Sequence, residues 1–569
     1  MDQIISYISN RRSGGILCMV FLSAFFFIGL GDVHLFDWDE INFAESAREM
    51  LESGNYSVVQ INYTPFWEKP PLFFWMQALS MKIFGINEFA SRFPNALFGL
   101  IYMITLYILG SRMKDINFGI FWSLLFFGSF LPHLYFKSGI IDPVFNYFIF
   151  LSIYFAYRVF ENDHNNYKNA IFAGLFSGLS FITKGPVGLL LLILTVSFFI
   201  ISQVFFPMST GRFSFQNGIH LIRKHCCQVT VWKELALFIL GFTLIVATWL
   251  SAEIYYHGFD ILVKFVYYQI ELFNTPVAGH GQPFYYHFVV VLLGCFPASV
   301  LAIPALISGQ VRTIPTFRLW MIGLFWVVMT VFSLSTTKIV HYSSMTHLPL
   351  TFLAASYVYE VHLNRTALKK YVLYLLGLMG FVWFFVLTSI LFLLDRVHLI
   401  VPYIRDEFAV QSLLTSVSLT GYESAIGVFF LVGIIVSFYF FVTKRALKAL
   451  FSASFTIGAT LLLMSIFVLP IIEKFTQGPA INFYKSLENK DVYVETAGFK
   501  SYAQYFYSKT KPQPNPNRKD MNWLLRGEID KVVYFVTKVN YTDLDTIKDI
   551  KKLKTEGGFS FYKREPREK

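Results

Sequence analysis

Apolar residues run in long blocks through most of this chain, with short polar breaks between them. Blocks long enough for a bilayer-crossing helix fall near 16–35, 93–110, 117–135, 142–160, 169–184, 186–206, 234–256, 285–308, 318–335, 343–361, 371–394, 423–442 and 450–472. At roughly 20 apolar residues per crossing, this predicts about thirteen spans. Residues 36–92 interrupt the pattern. Within them Phe43, Ala44, Ala47, Met50 and Leu51 recur at helical spacing, opposite Glu45, Arg48, Glu49 and Glu52. Such a helix lies flat on a membrane face or packs over its own domain. After residue 472 the long apolar blocks stop. Asp491–Glu495, Lys531–Val536 and Gly558–Tyr562 read as strands, and Phe499–Tyr507 and Leu544–Leu553 as helices. The expectation is an α-helical polytopic membrane domain over 1–472, with an extracytoplasmic loop at 36–92. A small extracytoplasmic α/β domain over 473–569 follows.

Composition strengthens the membrane reading. The chain has 569 residues, 55% hydrophobic and 15% charged, where a soluble domain is nearer a quarter charged. The net charge of +11 does not imply a nucleic-acid partner, because the lysines and arginines lie mainly between apolar blocks and in the tail. Those between blocks, among them Arg11, Arg12, Arg112, Lys114, Arg223, Lys224, Lys369 and Lys370, fall on one side. Short-loop basic residues mark the cytoplasmic side, so the 36–92 loop and the tail face outward. The first block follows Arg11 and Arg12 without a small-residue cleavage site, which predicts a retained span. The four cysteines (Cys18, Cys226, Cys227 and Cys295) have neither disulfide nor zinc spacing.

The candidate chemistry sits at the ends of the apolar blocks, where a charge is costly unless it meets water, a partner or a metal. Asp37, Asp39 and Glu40 follow the first block. A carboxylate there suits proton removal from a hydroxyl or a divalent cation; at a helix start it equally suits capping. Glu68-Lys69-Pro70-Pro71 holds a second acid–base pair on stiff backbone. Asp142-Pro143 opens a block, which helix capping alone would explain. Lys184, in Thr183-Lys184-Gly185-Pro186, and Lys338, in Lys338-Ile339-Val340-His341-Tyr342, stand at outer boundaries. Each either snorkels to water or holds a lipid phosphate. His280 either belongs to an aromatic belt or ligates a metal with Glu68 or Asp39.

These pieces occur in a familiar order. Asp39-Glu40 with Phe43-Ala44-Glu45, then Phe66-Trp67-Glu68-Lys69-Pro70-Pro71-Leu72, then Thr183-Lys184-Gly185-Pro186-Val187-Gly188, then His280 with Pro283-Phe284-Tyr285-Tyr286, then Lys338 and Tyr342 resemble the aminoarabinose transferase branch of the dolichyl-phosphate-mannose–protein mannosyltransferase superfamily. Its members are bacterial membrane glycosyltransferases of the GT-C fold. The resemblance implies transfer of a sugar from a polyprenyl-phosphate donor at the periplasmic face of the inner membrane. The acceptor would be a lipid, glycan or protein, lipid A-type acceptors included. It implies Asp39 as the main catalytic carboxylate, with Asp142 as the second acidic residue of the site; Glu40, beside Asp39, is a third catalytic candidate. Glu68 and Lys69 would line the cavity, and Lys184, Lys338 and Tyr342 would lie near the lipid phosphate. A divalent metal on His280 and Glu68 is the one cofactor the residues suggest. Where relatives commonly carry an arginine near the acceptor this chain has Asn42, and Gln269 and Leu272 also depart from the pattern. Two alternatives stay open. One is a protein O-mannosyltransferase, with which the sequons Asn55-Tyr56-Ser57 and Asn62-Tyr63-Thr64 are compatible. The other is a flippase for a lipid-linked sugar, although no inverted repeat is visible.

Overall fold

A helix stands in each of the predicted apolar blocks. The computed structural model describes residues 11–66, 68–161, 166–205, 229–260, 263–267, 270, 281–307, 311–415 and 423–567. Among them, eight helices are long and apolar enough to cross a membrane, or nine if the bent pair Tyr286–Gly294 and Ala298–Ile307 forms one span. Shorter apolar helices include Arg12–Phe27 and Ile116–Phe127. The chain is a multi-pass membrane protein.

The breaks have local causes. The pair around residues 295–297 bends by 116°, where Pro297 withholds a backbone N–H. The last block runs from Ala446–Leu463 through a π-turn, Met464–Val468, into Leu469–Thr476. Pro470, at the start of that final piece, cannot continue the regular ladder. Helices Tyr167–Lys184 and Val229–His257 approach through glycines. A Cβ on Gly174 would lie 2.1 Å from the Phe238 carbonyl oxygen, so only a residue without a side chain allows this contact.

The tail forms a four-stranded sheet in the order Tyr493–Ala497, Val533–Lys538, Phe559–Arg564, Ile550–Glu556. The first pair is parallel and the other two are antiparallel. One expectation is corrected here. Leu544–Leu553 is not a helix: a short 3-10 turn at Asp543–Thr546 leads into the edge strand Ile550–Glu556. Leu544, Ile547 and Ile550 imitate a helical period. Gly557 and Gly558, at φ 56° and 80°, close a hairpin that pairs the strand instead. Its exposed lysines are what an edge strand uses against further pairing.

The predicted loop helix spans Asp39–Ser53. It is sandwiched. Phe43 and Met50 pack with Phe73 and Phe74 in the core of the membrane body. Ile41, Ala44 and Ala47 pack with Ile481, Tyr484, Phe506 and Tyr507 of the tail. Its polar face is covered as well, with Glu45, Arg48 and Glu49 at 0, 1 and 0% exposure. The helix therefore packs over its own chain.

Candidate active site

Separate stretches meet at one cavity, with Asp39 and His341 beside its lining. Asp39 is the first residue of helix Asp39–Ser53. Asp142 starts helix Asp142–Glu161. Lys184 ends helix Tyr167–Lys184, where Gly185 takes φ +87° and turns the chain into Pro186. His341 and Tyr342 come from the 3-10 turn Val340–Thr346. The cavity, about 400 Å³, is lined by Lys69, Asp142, Lys184 and Tyr342 on its polar side. Pro186, Val187, Leu190, Leu191, Val331 and Phe332 make the apolar side.

Charges in the cavity are organised around Asp142. Its Oδ1 accepts from Lys184 Nζ at 2.6 Å, and its Oδ2 lies 3.7 Å from His341 Nε2. The same imidazole nitrogen is 3.4 Å from Asp39 Oδ2, so His341 bridges the two carboxylates. Burial holds His341 below the ordinary imidazole range, against the pull of Asp142 and Asp39. Lys184 Nζ stands 5.1 Å from the Tyr342 ring centroid and 5.6 Å from that of Phe145, within cation–π range. Lys69 donates to Glu68 at 3.0 Å. Burial works against its charge, yet Glu68, Tyr342 and Asp39 hold its pKa above the usual lysine value.

Not every expected residue reaches the cavity. Glu40 is the clear departure. Both its oxygens meet Arg92, at 3.0 and 2.9 Å, and it accepts the N–H groups of Phe36 at 2.9 Å and Gly139 at 2.5 Å. Arg92 also donates to the carbonyls of Leu30, Val33 and His34. Burial opposes the charge on Glu40, and the arginine and the two N–H groups hold its pKa below the carboxylate norm. Glu40 is thus a strut that ties the end of the first span to the Gly139–Asp142 turn. Its neighbour Asp39 points the other way, because successive residues of a helix do not share a face. Lys338 is buried beside the cavity and donates to the Ser335 carbonyl at 2.6 Å. His280 lies outside the described residues, as do Gln269 and Leu272. Among the described residues no group of three or more His, Cys, Asp or Glu side chains is arranged to hold a metal ion, and Lys184 already neutralises Asp142. The donor set in view does not make a cation cage.

His341 carried no assigned role in the sequence, although it stands beside Tyr342. A lone histidine next to an aromatic residue has no spacing signal. Asn146, one turn after Asp142 and hydrogen-bonded to Ser344 Oγ at 2.8 Å, is a second lining residue that only the fold reveals.

A family model described as dolichyl-phosphate-mannose-protein mannosyltransferase matches residues 68–210. An undecaprenyl phosphate-alpha-4-amino-4-deoxy-L-arabinose arabinosyl transferase from Wigglesworthia glossinidia brevipalpis is 25% identical over 373 residues, 63% of this chain and 61% of that protein. An uncharacterized protein from Aquifex aeolicus is 29% identical over 341 residues, 59% of this chain and 70% of that protein. The match thus spans about three fifths of the arabinosyl transferase's length. Over nearly the whole chain, the crystal structure of ArnT from Cupriavidus metallidurans bound to undecaprenyl phosphate superposes with a TM-score of 0.71. That likeness covers 97% of this chain and 98% of ArnT at 14% identity. The chain shares the fold of ArnT. The family match takes in Lys69, Asp142 and Lys184, three of the polar residues that line the cavity. Asp39, His341 and Tyr342 lie outside it in sequence and meet it in space.

Proposed function

We propose that this protein is a membrane glycosyltransferase that moves a sugar from a polyprenyl-phosphate donor to an acceptor at the periplasmic face of the bacterial inner membrane. One observation carries the reading: a cavity with lysine, carboxylate and tyrosine on one side and aliphatic walls on the other. That division suits a ligand with an anionic head and a hydrocarbon tail. The named activity of the arabinosyl transferases and the undecaprenyl phosphate bound to ArnT support the same ligand class.

In this reading the donor phosphate lies at Lys184 and Lys69. The bond between the anomeric carbon and the phosphate oxygen breaks, and its electron pair stays on the phosphate. The two ammonium groups stabilise the charge that grows there. Lys184 is held by Asp142 and stacked over Tyr342, so it does not have to reorganise as the bond breaks. The acceptor oxygen bonds to the anomeric carbon from the side of Asp39. An acceptor hydroxyl passes its proton to Asp39; an acceptor phosphate oxygen has none to pass, and Asp39 then orients the sugar. A lipid A-type phosphate is one such acceptor.

The test is purified protein with undecaprenyl phosphate carrying 4-amino-4-deoxy-L-arabinose, followed by mass spectrometry of added lipid A. Asp39→Asn should abolish transfer while membrane insertion and melting temperature stay at the wild-type values. Full activity in that variant would remove Asp39 from the chemistry. The family description favours a second reading, protein mannosylation; mannose transfer from a dolichol-linked donor to a protein in the same assay would support it.

A further inference from the structure

The tail shows no catalytic pattern in its sequence, yet it grips the segment that leads into Asp39. Residues 34–36 have no regular secondary structure, and 37–38 form a turn. The N–H of Leu35 donates to Tyr507 Oη at 2.7 Å. Gln477 donates from Nε2 to the Leu35 carbonyl at 2.8 Å, and its Oε1 accepts the Asp37 N–H at 3.4 Å. The Trp38 ring lies 5.3 Å from that of Tyr502, and the Lys500 ammonium stands 5.0 Å from the Trp38 centroid. Further along the same helix, Arg48 donates to the Thr510 carbonyl at 2.8 Å, as does Tyr63 Oη at 2.9 Å. The next residue after Trp38 is Asp39.

We infer that the C-terminal domain is a positioning element of the active site, in which Gln477, Tyr502 and Tyr507 fix the Asp39 carboxylate through residues 35–38. Irregular backbone with few internal hydrogen bonds opens easily unless neighbours tie it down. Glu40 and Arg92 of the body hold Phe36 and His34, and the contacts to Leu35, Asp37 and the Trp38 ring come from the tail. Asn42 joins them from inside the helix: turned so that both groups are satisfied, its amide donates to the Trp38 carbonyl and accepts from Trp38 Nε1, both at 3.0 Å. The residue that departs from the family pattern thus has a defined task, which is to hold Trp38 against Tyr502. The inference rests on the catalytic reading of Asp39, and the experiment separates the two.

Two readouts on the full-length protein in nanodiscs test it. The first is a spin label on Asp39→Cys in a background with the four native cysteines replaced. Its spectrum should be immobilised with Tyr502 present, and mobile with Tyr502→Ala or Gln477→Ala. The second is turnover with undecaprenyl phosphate carrying 4-amino-4-deoxy-L-arabinose as donor and lipid A as acceptor. Displacing a catalytic group by about 1 Å lowers turnover about 100-fold. Tyr502→Ala should therefore lower kcat by about that factor with KM for the donor unchanged, because Lys69 and Lys184 are untouched. Tyr502→Phe, which keeps the ring, should restore most of it. An unchanged label spectrum in both tail variants overturns the inference, and so does an unchanged kcat in Tyr502→Ala. A freed label in the tail variants, alongside full transfer by Asp39→Asn, upholds the positioning and overturns the catalytic reading instead.

Discussion

The two carboxylates that flank His341, Asp39 and Asp142, differ in almost everything except their distance to it. Asp142 is 3% exposed at its side chain, belongs to a membrane-body helix, and is locked to Lys184. Asp39 is 24% exposed at its side chain and belongs to a helix wedged between the body and the tail. A buried carboxylate that has a cation holds geometry. A half-open one, at the end of an element held from outside the membrane body, keeps an oxygen for a substrate. In the proposed reading the body wall anchors and the loop wall carries the chemistry.

Substitutions can break that division. The largest effect on activity is expected at Asp39, where Asn removes transfer without loss of stability. Lys184→Met should lower transfer about 100- to 1,000-fold, the usual loss when one donor to a developing anion is removed, and it should also destabilise the protein because Asp142 is left buried and unpaired. Adding Asp142→Asn to Lys184→Met should recover melting temperature but no activity, since a buried pair can be replaced by neutral groups more safely than it can be halved. If the double variant is no more stable than Lys184→Met alone, Asp142 is not the anchor described here. Arg92→Met should lower stability by about 3–5 kcal/mol, measured by thermal unfolding in detergent, because Glu40 would be left charged and buried.

The smallest effect concerns the loop wall alone. Burial and the nearby Glu45 raise the pKa of Glu49 to about 9, above its usual 4.5. Between those values the folded chain holds a proton that the unfolded chain has lost, so stability falls as pH rises through this window. Glu49→Gln lacks that dependence. Its melting temperature relative to wild type should therefore be higher at pH 8 than at pH 5.

Much of the site was legible before the fold was known, because hydrocarbon makes charge conspicuous. Asp142 and Lys184 stand out as charged groups at the ends of apolar blocks, and Glu68-Lys69 as a pair before the stiff Pro70-Pro71. The strands of the tail were also readable, since alternation is local; the edge strand Ile550–Glu556 was not, because leucine and isoleucine at three-residue spacing fit a helix until Gly557 and Gly558 turn the chain back. Glu40 and Asp39 could not be told apart by position. Only the arrival of Arg92 from a helix about fifty residues away turns one into a strut and leaves the other beside His341.

The sequence by itself determined the membrane-spanning character, the blocks of helix and the residue types available for chemistry, because hydrophobic length and charge placement are properties of short stretches. Tertiary structure alone decided that His341 stands between two aspartates, that Glu40 serves the frame, and that the tail holds the entrance to the Asp39 helix. Those are contacts between stretches far apart in the chain, and no local period or composition encodes which distant partner a side chain will meet.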